Sequence, residues 1–349
     1  MMNFWWTAGI ALIVTLLFLS GMSPVARKIG LVDLPGGRKH HHGSVPLIGG
    51  LGIAMGMMIG LLLLAISLST FRAYLAGVVL LLVIGVLDDF NELSPRLRLM
   101  AQLCVALFLS CWAGLQLDHF GNFLAVTNLS LGLWALPVTV IVVIALINAV
   151  NMIDGMNGVA AGTSLLSLLS FLFIYNHLGA LESHAVLLVI CAALLGFLAF
   201  NYPVFRYSQR LVFLGDAGST MLGFTLAWFG IKLNVLSAGA VSPVLLLWFF
   251  MVPVLDLVTV TIRRVFIKRV SPFTADREHM HHYFKALGLR ESWVTLTMVC
   301  LSCIGNAMAL FFYYHFIAND VIFALFIIVF IGYFTLTQFF WLKHQPIHR

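Results

Sequence analysis

Long, unbroken apolar runs recur along the whole chain of 349 residues and constrain its fold more than any other feature. Only 9% of the residues are charged and 62% are hydrophobic, with a mean hydropathy of +1.05. A soluble protein would carry about a quarter charged residues, so lipid surrounds most of this chain. In hydrocarbon every backbone polar group needs an internal partner, which leaves helical bundles and closed barrels. Unbroken runs, rather than short alternating ones, predict an all-α bundle.

We predict a polytopic integral membrane bundle of about eleven transmembrane helices, most of them near the ~20 residues that a bilayer core requires. No internal repeat, long linker or soluble domain interrupts the pattern. Residues 1–349 therefore form a single transmembrane domain, with a long loop at 263–292. The predicted spans are 4–22, 46–68, 73–87, 99–116, 133–150, 159–175, 184–201, 218–232, 244–262, 293–314 and 320–341.

The basic residues divide unevenly between the two sides of the predicted membrane. All but two of the 19 Lys and Arg residues fall in the loops after the first, third, seventh and ninth spans or in the final tail, and the loop after the fifth span, which has neither, lies on the same side by alternation. The exceptions are Arg72 and Lys232. Because Lys and Arg mark the cytoplasmic side, this bias predicts a periplasmic N-terminus and a cytoplasmic C-terminus. The same distribution speaks against nucleic acid as the reason for the net charge of +6.

The carboxylates crowd onto the same side, although acidic residues contribute little to topology. Asp256 lies inside the ninth span, where we expect it to pair with Arg263 or Arg264. The acidic residues on the opposite side are Asp118, Glu182 and Asp320. This crowding predicts a site at the cytoplasmic face. A transporter would need charge or broken helices near the midplane and usually a repeated half, so transport is the weaker alternative.

Asp88 and Asp89 are adjacent carboxylates that close the third span. They repel each other, and the negative end of the helix dipole adds to the repulsion. A cationic partner should compensate: Mg²⁺, a lysine, or a substrate held through a metal. The alternative is a solvated helix end with Arg96 or Arg98 beside it.

The run Asn148-Ala-Val-Asn151-Met-Ile-Asp154-Gly-Met-Asn157-Gly158 joins the fifth and sixth spans. Amides and carboxylates at membrane depth are costly unless they are bonded. Glycines let the backbone approach a ligand closely. A polar turn of this density suits a nucleotide sugar, and a self-capped turn between helices is the alternative.

The run Phe213-Leu-Gly-Asp216-Ala-Gly-Ser219-Thr220 leads into the eighth span. It places a carboxylate beside free N–H groups at a helix N-terminus, where phosphate and Mg²⁺ are favoured together. An Asp216 that merely caps its own helix is the alternative.

The ninth connection contains Asp276-Arg-Glu-His279-Met-His281-His282. This spacing matches neither HExxH nor a zinc finger, which disfavours zinc. Imidazoles beside a carboxylate-rich face are better interpreted as phosphate ligands. A plain solvated loop is the alternative.

Together these four patches resemble the polyprenyl-phosphate N-acetylhexosamine-1-phosphate transferase superfamily. The resemblance extends over most of the chain, from Gly30-Leu-Val-Asp33 and Pro46-Leu-Ile-Gly-Gly to the histidine loop. The run from Ser271 to His282 is most similar to the bacterial branch that starts enterobacterial common antigen and many O-antigens of lipopolysaccharide. That branch transfers GlcNAc 1-phosphate from UDP-GlcNAc to undecaprenyl phosphate. The teichoic-acid branch shares the His-x-His-His form, so another UDP-sugar, including UDP-MurNAc-pentapeptide, stays an alternative.

The resemblance implies a reaction at the cytoplasmic face of the bacterial inner membrane. The lipid phosphate would attack the β-phosphorus of the UDP-sugar, and UMP would leave. Asp216 would hold Mg²⁺ or Mn²⁺, and Asp88 and Asp89 would face the lipid phosphate. That phosphate is mostly dianionic at neutral pH, so orientation matters more than deprotonation. A covalent route through an Asp nucleophile stays open, and so does a homodimer.

The remaining site residues are implied by the same resemblance. Those expected to neutralise pyrophosphate charge are Arg264, His279, His281 and His282. Those expected to hold the nucleotide are Asn151, Asp154, Asn157 and Asn201. Asn157 departs from the family pattern, which usually has a second Asp there. An amide can still bond a uracil edge, but it adds no charge and is a weak metal ligand.

Overall fold

The computed structural model describes residues 4–34, 43–121, 129–202, 211–271 and 278–343. Within these ranges the chain is almost entirely helical, so the all-α prediction is confirmed. The helices are α1 (Trp5–Ile29), α2 (Gly49–Leu62), α3 (Arg72–Asn91), α4 (Pro95–Leu107), α5 (Ala135–Ile153), α6 (Val159–His177), α7 (Leu181–Asn201), α8 (Gly215–Leu236), α9 (Pro243–Phe249), α10 (Met251–Ile262), α11 (Met280–Ala286), α12 (Glu291–Tyr314) and α13 (Asn319–Lys343).

Each predicted span contains a helix, but the helices differ in length. In the described ranges, eight helices are long and apolar enough to cross a membrane, and a ninth is obtained if α9 and α10 form one broken span. Helix α2 has only 14 residues, fewer than the predicted 46–68. Helix α4 is extended by a π-helical turn, Phe108–Trp112. A polytopic membrane bundle is therefore confirmed, whereas the count of eleven and the orientation of the termini stay predictions.

The break between α9 and α10 has a local cause. The two helices meet at 97°. Pro253 has no N–H to donate to the carbonyl of Phe249, four residues earlier. Ser167 and Asn306 donate to that carbonyl instead, at 2.7 and 3.3 Å. Side chains of neighbouring helices thus satisfy a backbone group that would be costly if left unpaired in lipid.

Helix α8 lies at the centre of the bundle, with 83% of its span buried. It packs against α2, α3, α5 and α6. Two glycines bring α2 and α3 directly against its first turn. A Cβ at Gly50 would lie 2.4 Å from the nitrogen of Gly218, and one at Gly85 would lie 2.3 Å from the Cα of Ala217. The start of α8 is therefore fixed from two sides.

A small sheet completes this junction. Strands β1 (Val32–Asp33) and β2 (Val45–Pro46) pair antiparallel. The Phe213 N–H, just before α8, donates to the Pro46 carbonyl at 2.9 Å. The Gly49 N–H then donates to the Phe213 carbonyl at 3.0 Å. The Pro46-Leu-Ile-Gly-Gly run thus ties the first predicted cytoplasmic loop to the start of α8.

Candidate active site

The N-terminus of α8 is capped by a carboxylate from another helix. Asp89, in the last turn of α3, accepts hydrogen bonds from the N–H groups of Asp216 and Ala217 at 2.8 and 3.4 Å. These N–H groups have no partner within the helix and carry partial positive charge, so an anion is stabilised there. Gly215 has a positive φ of 74°, and a Cβ on it would lie 2.6 Å from Asp89 Oδ2. Asp89, rather than Asp216, is therefore the cap.

Asp88 is held by two donors at the same place. Its Oδ1 accepts the Leu93 N–H at 2.6 Å, and its Oδ2 accepts from Arg98 Nη1 at 3.1 Å. Arg98 was expected only as the counter-ion of a solvated helix end. The Asp88 side chain is in fact 4% exposed, whereas that of Arg98 is 40% exposed. The ion pair is present, but the carboxylate is buried and lies within hydrogen-bonding reach of Asp216.

Asn151 joins α5 to α8. Its Nδ2 donates to Asp216 Oδ1 at 2.6 Å and contacts Ser219 Oγ at 2.8 Å. The amide is neutral, so it orients the Asp216 carboxylate without cancelling its charge. One helical turn earlier, Asn148 Nδ2 donates to Gln102 Oε1 of α4 at 2.7 Å. The amides of the Asn-rich run therefore connect α4, α5 and α8 below the site.

Asp154 follows the end of α5 and brings a further negative charge to the same place. Burial, and then the charges of Asp216 and Asp89, raise the pKa of the Asp154 carboxyl group well above its ordinary value. Carboxylates this close cannot all ionise readily without a cation. We call Asp88, Asp89, Asp154 and Asp216 the carboxylate cluster. Its members come from three separate segments, and the structure brings them together.

Asn201, at the end of α7, braces the turn that follows Asp154. Its Oδ1 accepts the Gly158 N–H at 2.6 Å, and its Nδ2 donates to the Val212 carbonyl at 2.8 Å. The carbonyl of Asn157 accepts from Thr295 of α12 at 2.8 Å, and its side-chain oxygen lies 3.5 Å from the Asn201 amide. Both asparagines therefore lie at the turn, and their contact with a nucleotide stays a prediction.

The histidine segment, residues 278–286, packs against the Asp154 turn. His281 is 3% exposed, and its ring fills the space beside Gly155, where a Cβ would lie 2.6 Å from Nε2. Burial, and then the neighbouring positive groups, lower the pKa of His281 well below its ordinary value. The ring centroids of His279 and His282 lie 5.9 and 4.1 Å from that of His281. The three imidazoles thus form one cluster beside the Asp154 turn.

Asp256 pairs with His279, and the expected pairing with Arg263 or Arg264 is wrong. Asp256 Oδ2 lies 2.8 Å from His279 Nδ1. Arg263 contacts Glu278 instead, at 3.6 Å. Arg264 lies in a π-helical turn after α10 and is 5% exposed. Short sequence separation favoured the two arginines that directly follow the span, but His279, from the far end of the same loop, is the partner of Asp256. Asp276 of that loop lies outside the described residues.

The carboxylate cluster fits a hard divalent cation that is bound partly through substrate. In the part of the chain that the structure describes, no group of three or more His, Cys, Asp or Glu side chains is arranged to hold a metal ion by itself. Mg²⁺ keeps several waters and is usually held by one or two carboxylates plus substrate phosphates. The adjoining Asp216 and Asp88 carboxyl groups offer such an open set of oxygen donors. We propose Asp216 as the metal ligand on this basis.

Comparisons with known proteins agree with this arrangement. The model of glycosyl transferase family 4 matches residues 71–234, a range that contains the whole carboxylate cluster. Three relatives named undecaprenyl-phosphate alpha-N-acetylglucosaminyl 1-phosphate transferase match most of the chain. The Pasteurella multocida protein is 38% identical, over 91% of this chain and 88% of its own. The Haemophilus influenzae protein is 36% identical, over 81% and 80%. The Yersinia pestis protein is 32% identical, over 90% and 86%.

These matches also cover sequence beyond the family model, since the Pasteurella alignment alone extends over 325 residues. Identity above 30% over nearly the full length of both chains reflects common descent rather than shared membrane composition. The chain therefore belongs to glycosyl transferase family 4, together with the bacterial undecaprenyl-phosphate alpha-N-acetylglucosaminyl 1-phosphate transferases.

Proposed function

We propose that this chain transfers GlcNAc 1-phosphate from UDP-GlcNAc to undecaprenyl phosphate, giving undecaprenyl-diphosphate-GlcNAc and UMP. The reaction takes place at the cytoplasmic face of the bacterial inner membrane and begins the synthesis of enterobacterial common antigen or an O-antigen. The convergence of the carboxylate cluster at one end of the bundle carries this proposal. The names of the relatives support the choice of sugar and lipid.

An apolar cavity supports a lipid acceptor. It has a volume of about 350 Å³ and is lined by side chains of α5, α8, α9 and α10. On α5 its lining reaches Ala145 and Ala149, the latter two residues before Asn151. A prenyl chain in this cavity would bury apolar surface while its phosphate reaches the polar end of α5. The proposed acceptor would bind with its prenyl chain in the cavity and its phosphate at the carboxylate cluster.

Charge is the main obstacle to the reaction, because two anionic substrates must meet at an anionic cluster. A divalent cation held by Asp216 would neutralise charge on the diphosphate and polarise its phosphoryl oxygens. Asn151 fixes the direction of the Asp216 carboxylate. Asp89 holds the first turn of α8 in place. Positioning and charge neutralisation of this kind carry most of the catalysis in phosphoryl transfer.

The acceptor phosphate is proposed to bind beside Asp88 and Asp89. One of its oxygens forms a bond to the β-phosphorus as the bond to UMP breaks. Both carboxylates are already engaged, Asp89 with the α8 amides and Asp88 with Leu93 and Arg98. Arg98 is partly exposed, so its remaining donors can contact the incoming phosphate. These contacts make orientation the larger task of the aspartate pair.

The histidine segment is proposed to contact the pyrophosphate from the opposite side. His281 is neutral at physiological pH because burial lowers its pKa, so it can offer a hydrogen bond but no positive charge. Arg264 is then proposed to supply positive charge, and His279 and His282 are proposed as further phosphate ligands. This division of roles refines the expectation that all three histidines neutralise charge.

The purified protein in detergent, supplied with undecaprenyl phosphate, Mg²⁺ and UDP-GlcNAc, tests the proposal. We expect UMP release that depends on both the lipid and Mg²⁺ and that stops on addition of EDTA. A parallel reaction with UDP-MurNAc-pentapeptide should release no UMP. Release from that nucleotide alone would contradict the sugar assignment, and no release from either would contradict the reaction.

A further inference from the structure

We propose that three side chains of α13, Tyr333, Thr337 and Trp341, are positioning residues that hold the histidine segment in its working place. The inference rests on the proposed function for its kinetic consequences. The three residues are spaced four apart, which places them along one face of a helix. Only 17% of the α13 span is buried, so most of this helix faces lipid. We call Tyr333, Thr337 and Trp341 the polar stripe. It faces the protein rather than lipid, since Thr337 is only 3% exposed.

Tyr333 acts on His279 through Asp256. Its hydroxyl donates to Asp256 Oδ1 at 3.3 Å, and the same oxygen accepts the Met280 N–H at 2.7 Å. The other oxygen of Asp256 contacts His279 Nδ1. Asp256 is fully buried, so each of these hydrogen bonds satisfies a polar atom that would be costly if left unpaired. The carboxylate fixes both the imidazole of His279 and the start of α11.

Thr337 acts on the histidine segment through Arg263, which is also fully buried. Thr337 Oγ1 accepts from Arg263 Nη2 at 3.1 Å, and Gln338 Oε1 accepts from Nε at 3.3 Å. The remaining guanidinium nitrogen donates to the hydroxyl of Tyr283, inside α11. Arg263 thus connects α13 directly to α11.

Trp341 acts through Glu278, at the beginning of the segment. Its indole N–H donates to Glu278 Oε1 at 2.6 Å. Lys268 and Arg263 form ion pairs with the same carboxylate. Each member of the stripe therefore contacts a different charged group, and each charged group contacts the histidine segment. A segment held at three points keeps its imidazoles in one place, which is what catalysis by positioning requires.

The decisive variant is the triple substitution Tyr333→Phe, Thr337→Val and Trp341→Phe, which removes the three polar contacts and keeps an apolar side chain at each position. We expect the amides of α11 to lose protection in hydrogen–deuterium exchange measured by mass spectrometry. We expect kcat for UMP release to fall about 10-fold, with a smaller change in KM for UDP-GlcNAc. Thr335→Val is the matched control, because Thr335 is exposed on the same helix. It should change neither quantity.

Adding the triple substitution to His279→Ala separates positioning from general loosening. If the stripe positions the histidine segment and acts partly through His279, the triple substitution should lower kcat less in the His279→Ala background than its about 10-fold effect on the wild-type chain. A further loss of similar size would overturn the inference. So would unchanged exchange of α11 in the triple variant, or an equal effect of Thr335→Val. If the wild-type chain releases no UMP, the proposed function fails, and the exchange measurement still decides whether α13 holds the segment.

Discussion

The carboxylate cluster and the histidine segment lie side by side, but their acidic side chains have different partners: mainly neutral donors in the cluster and basic groups at the segment. In the cluster, Asp216 is bonded by a neutral amide, Asp89 by backbone N–H groups, and Asp88 by one backbone N–H and one guanidinium. At the histidine segment, Asp256 and Glu278 each have a basic partner. Asp256 contacts an imidazole, and Glu278 contacts both a lysine and an arginine.

This difference indicates which region is built to receive a cation. Buried charges that are paired and bonded form a scaffold, and removing one partner is costly. Neighbouring carboxylates with mainly neutral donors keep an excess of negative charge, which a metal can satisfy. The cluster is therefore the proposed place of the divalent ion, and the paired acids below the histidines give that segment its fixed position.

Of the substitutions that test this difference, Asp216→Asn should lower activity most. It removes the charge of the proposed metal ligand and keeps the shape of the side chain. We expect UMP release to fall at least ~10³-fold at any Mg²⁺ concentration, since a metal supplies several kcal/mol of charge stabilisation. The variant should still insert and purify as a single species. Near-normal turnover would remove Asp216 as the metal ligand.

Substitutions of Asp88 and Asp89 should affect the rate of the chemical step more than the binding of UDP-GlcNAc. We expect Asp88→Asn and Asp89→Asn each to lower kcat about 10²-fold, with a much smaller change in UDP-GlcNAc affinity. Asp89→Asn should also lower thermal stability, because the amide has only one acceptor oxygen for the Asp216 and Ala217 N–H groups and loses a negative charge worth roughly 0.3–1 kcal/mol at a helix N-terminus. Kinetics and a fluorescence-monitored thermal unfolding curve measure both effects. If only the affinity for UDP-GlcNAc fell, Asp88 and Asp89 would contact the nucleotide sugar instead of the lipid phosphate, which contradicts the proposal.

Gly85→Ala should disturb the carboxylate cluster by pushing α3 away from the first turn of α8. The new Cβ would lie 2.3 Å from the Cα of Ala217, which is backbone and cannot move aside cheaply. We expect a loss of roughly 1–3 kcal/mol in stability, with reduced turnover. Gly9→Ala is the matched control, because nothing lies within 4 Å of a Cβ there. Equal unfolding temperatures for the two variants would show that α3 and α8 are not so closely packed.

Asn157→Asp should have the smallest effect. The substitution restores the acid that the family resemblance expects, and an Asp can still accept from the Asn201 amide. We expect kcat and KM for UDP-GlcNAc to stay within about threefold of the wild-type values, because a partly exposed charge at the turn is screened by solvent. A large gain in turnover would mean that the Asn limits the present chain.

The fold class and the grouping of the acids could be predicted because both follow from one-dimensional signals. Apolar runs define helices, and charge bias assigns loops to sides, so residues as distant as Asp88 and Asp216 were expected to meet. The break between α9 and α10 was harder to predict. Pro253 is visible in the sequence, but the bend also depends on Ser167 and Asn306, which come from other helices and donate to the Phe249 carbonyl.

Side-chain contacts between residues far apart in the sequence could not be predicted from sequence spacing. Asp256 was expected to pair with Arg263 or Arg264, which directly follow its span, whereas its partner His279 lies much further along the same loop. The capping of α8 by Asp89 was also missed, although the Gly-Asp run signalled an anion site at that helix end. The proposed role of α13 left no local signal except Tyr333, Thr337 and Trp341 at intervals of four, in a helix whose other residues are mostly apolar.

Binding of Mn²⁺ in the presence of UDP, followed by electron paramagnetic resonance on the purified protein, tests most directly whether the carboxylate cluster is the metal site. We expect the wild-type chain and His279→Ala to bind Mn²⁺ with similar affinity and Asp216→Asn to lose it. Retention of wild-type affinity by Asp216→Asn, or its loss in His279→Ala, would contradict the assignment of the metal to the carboxylates.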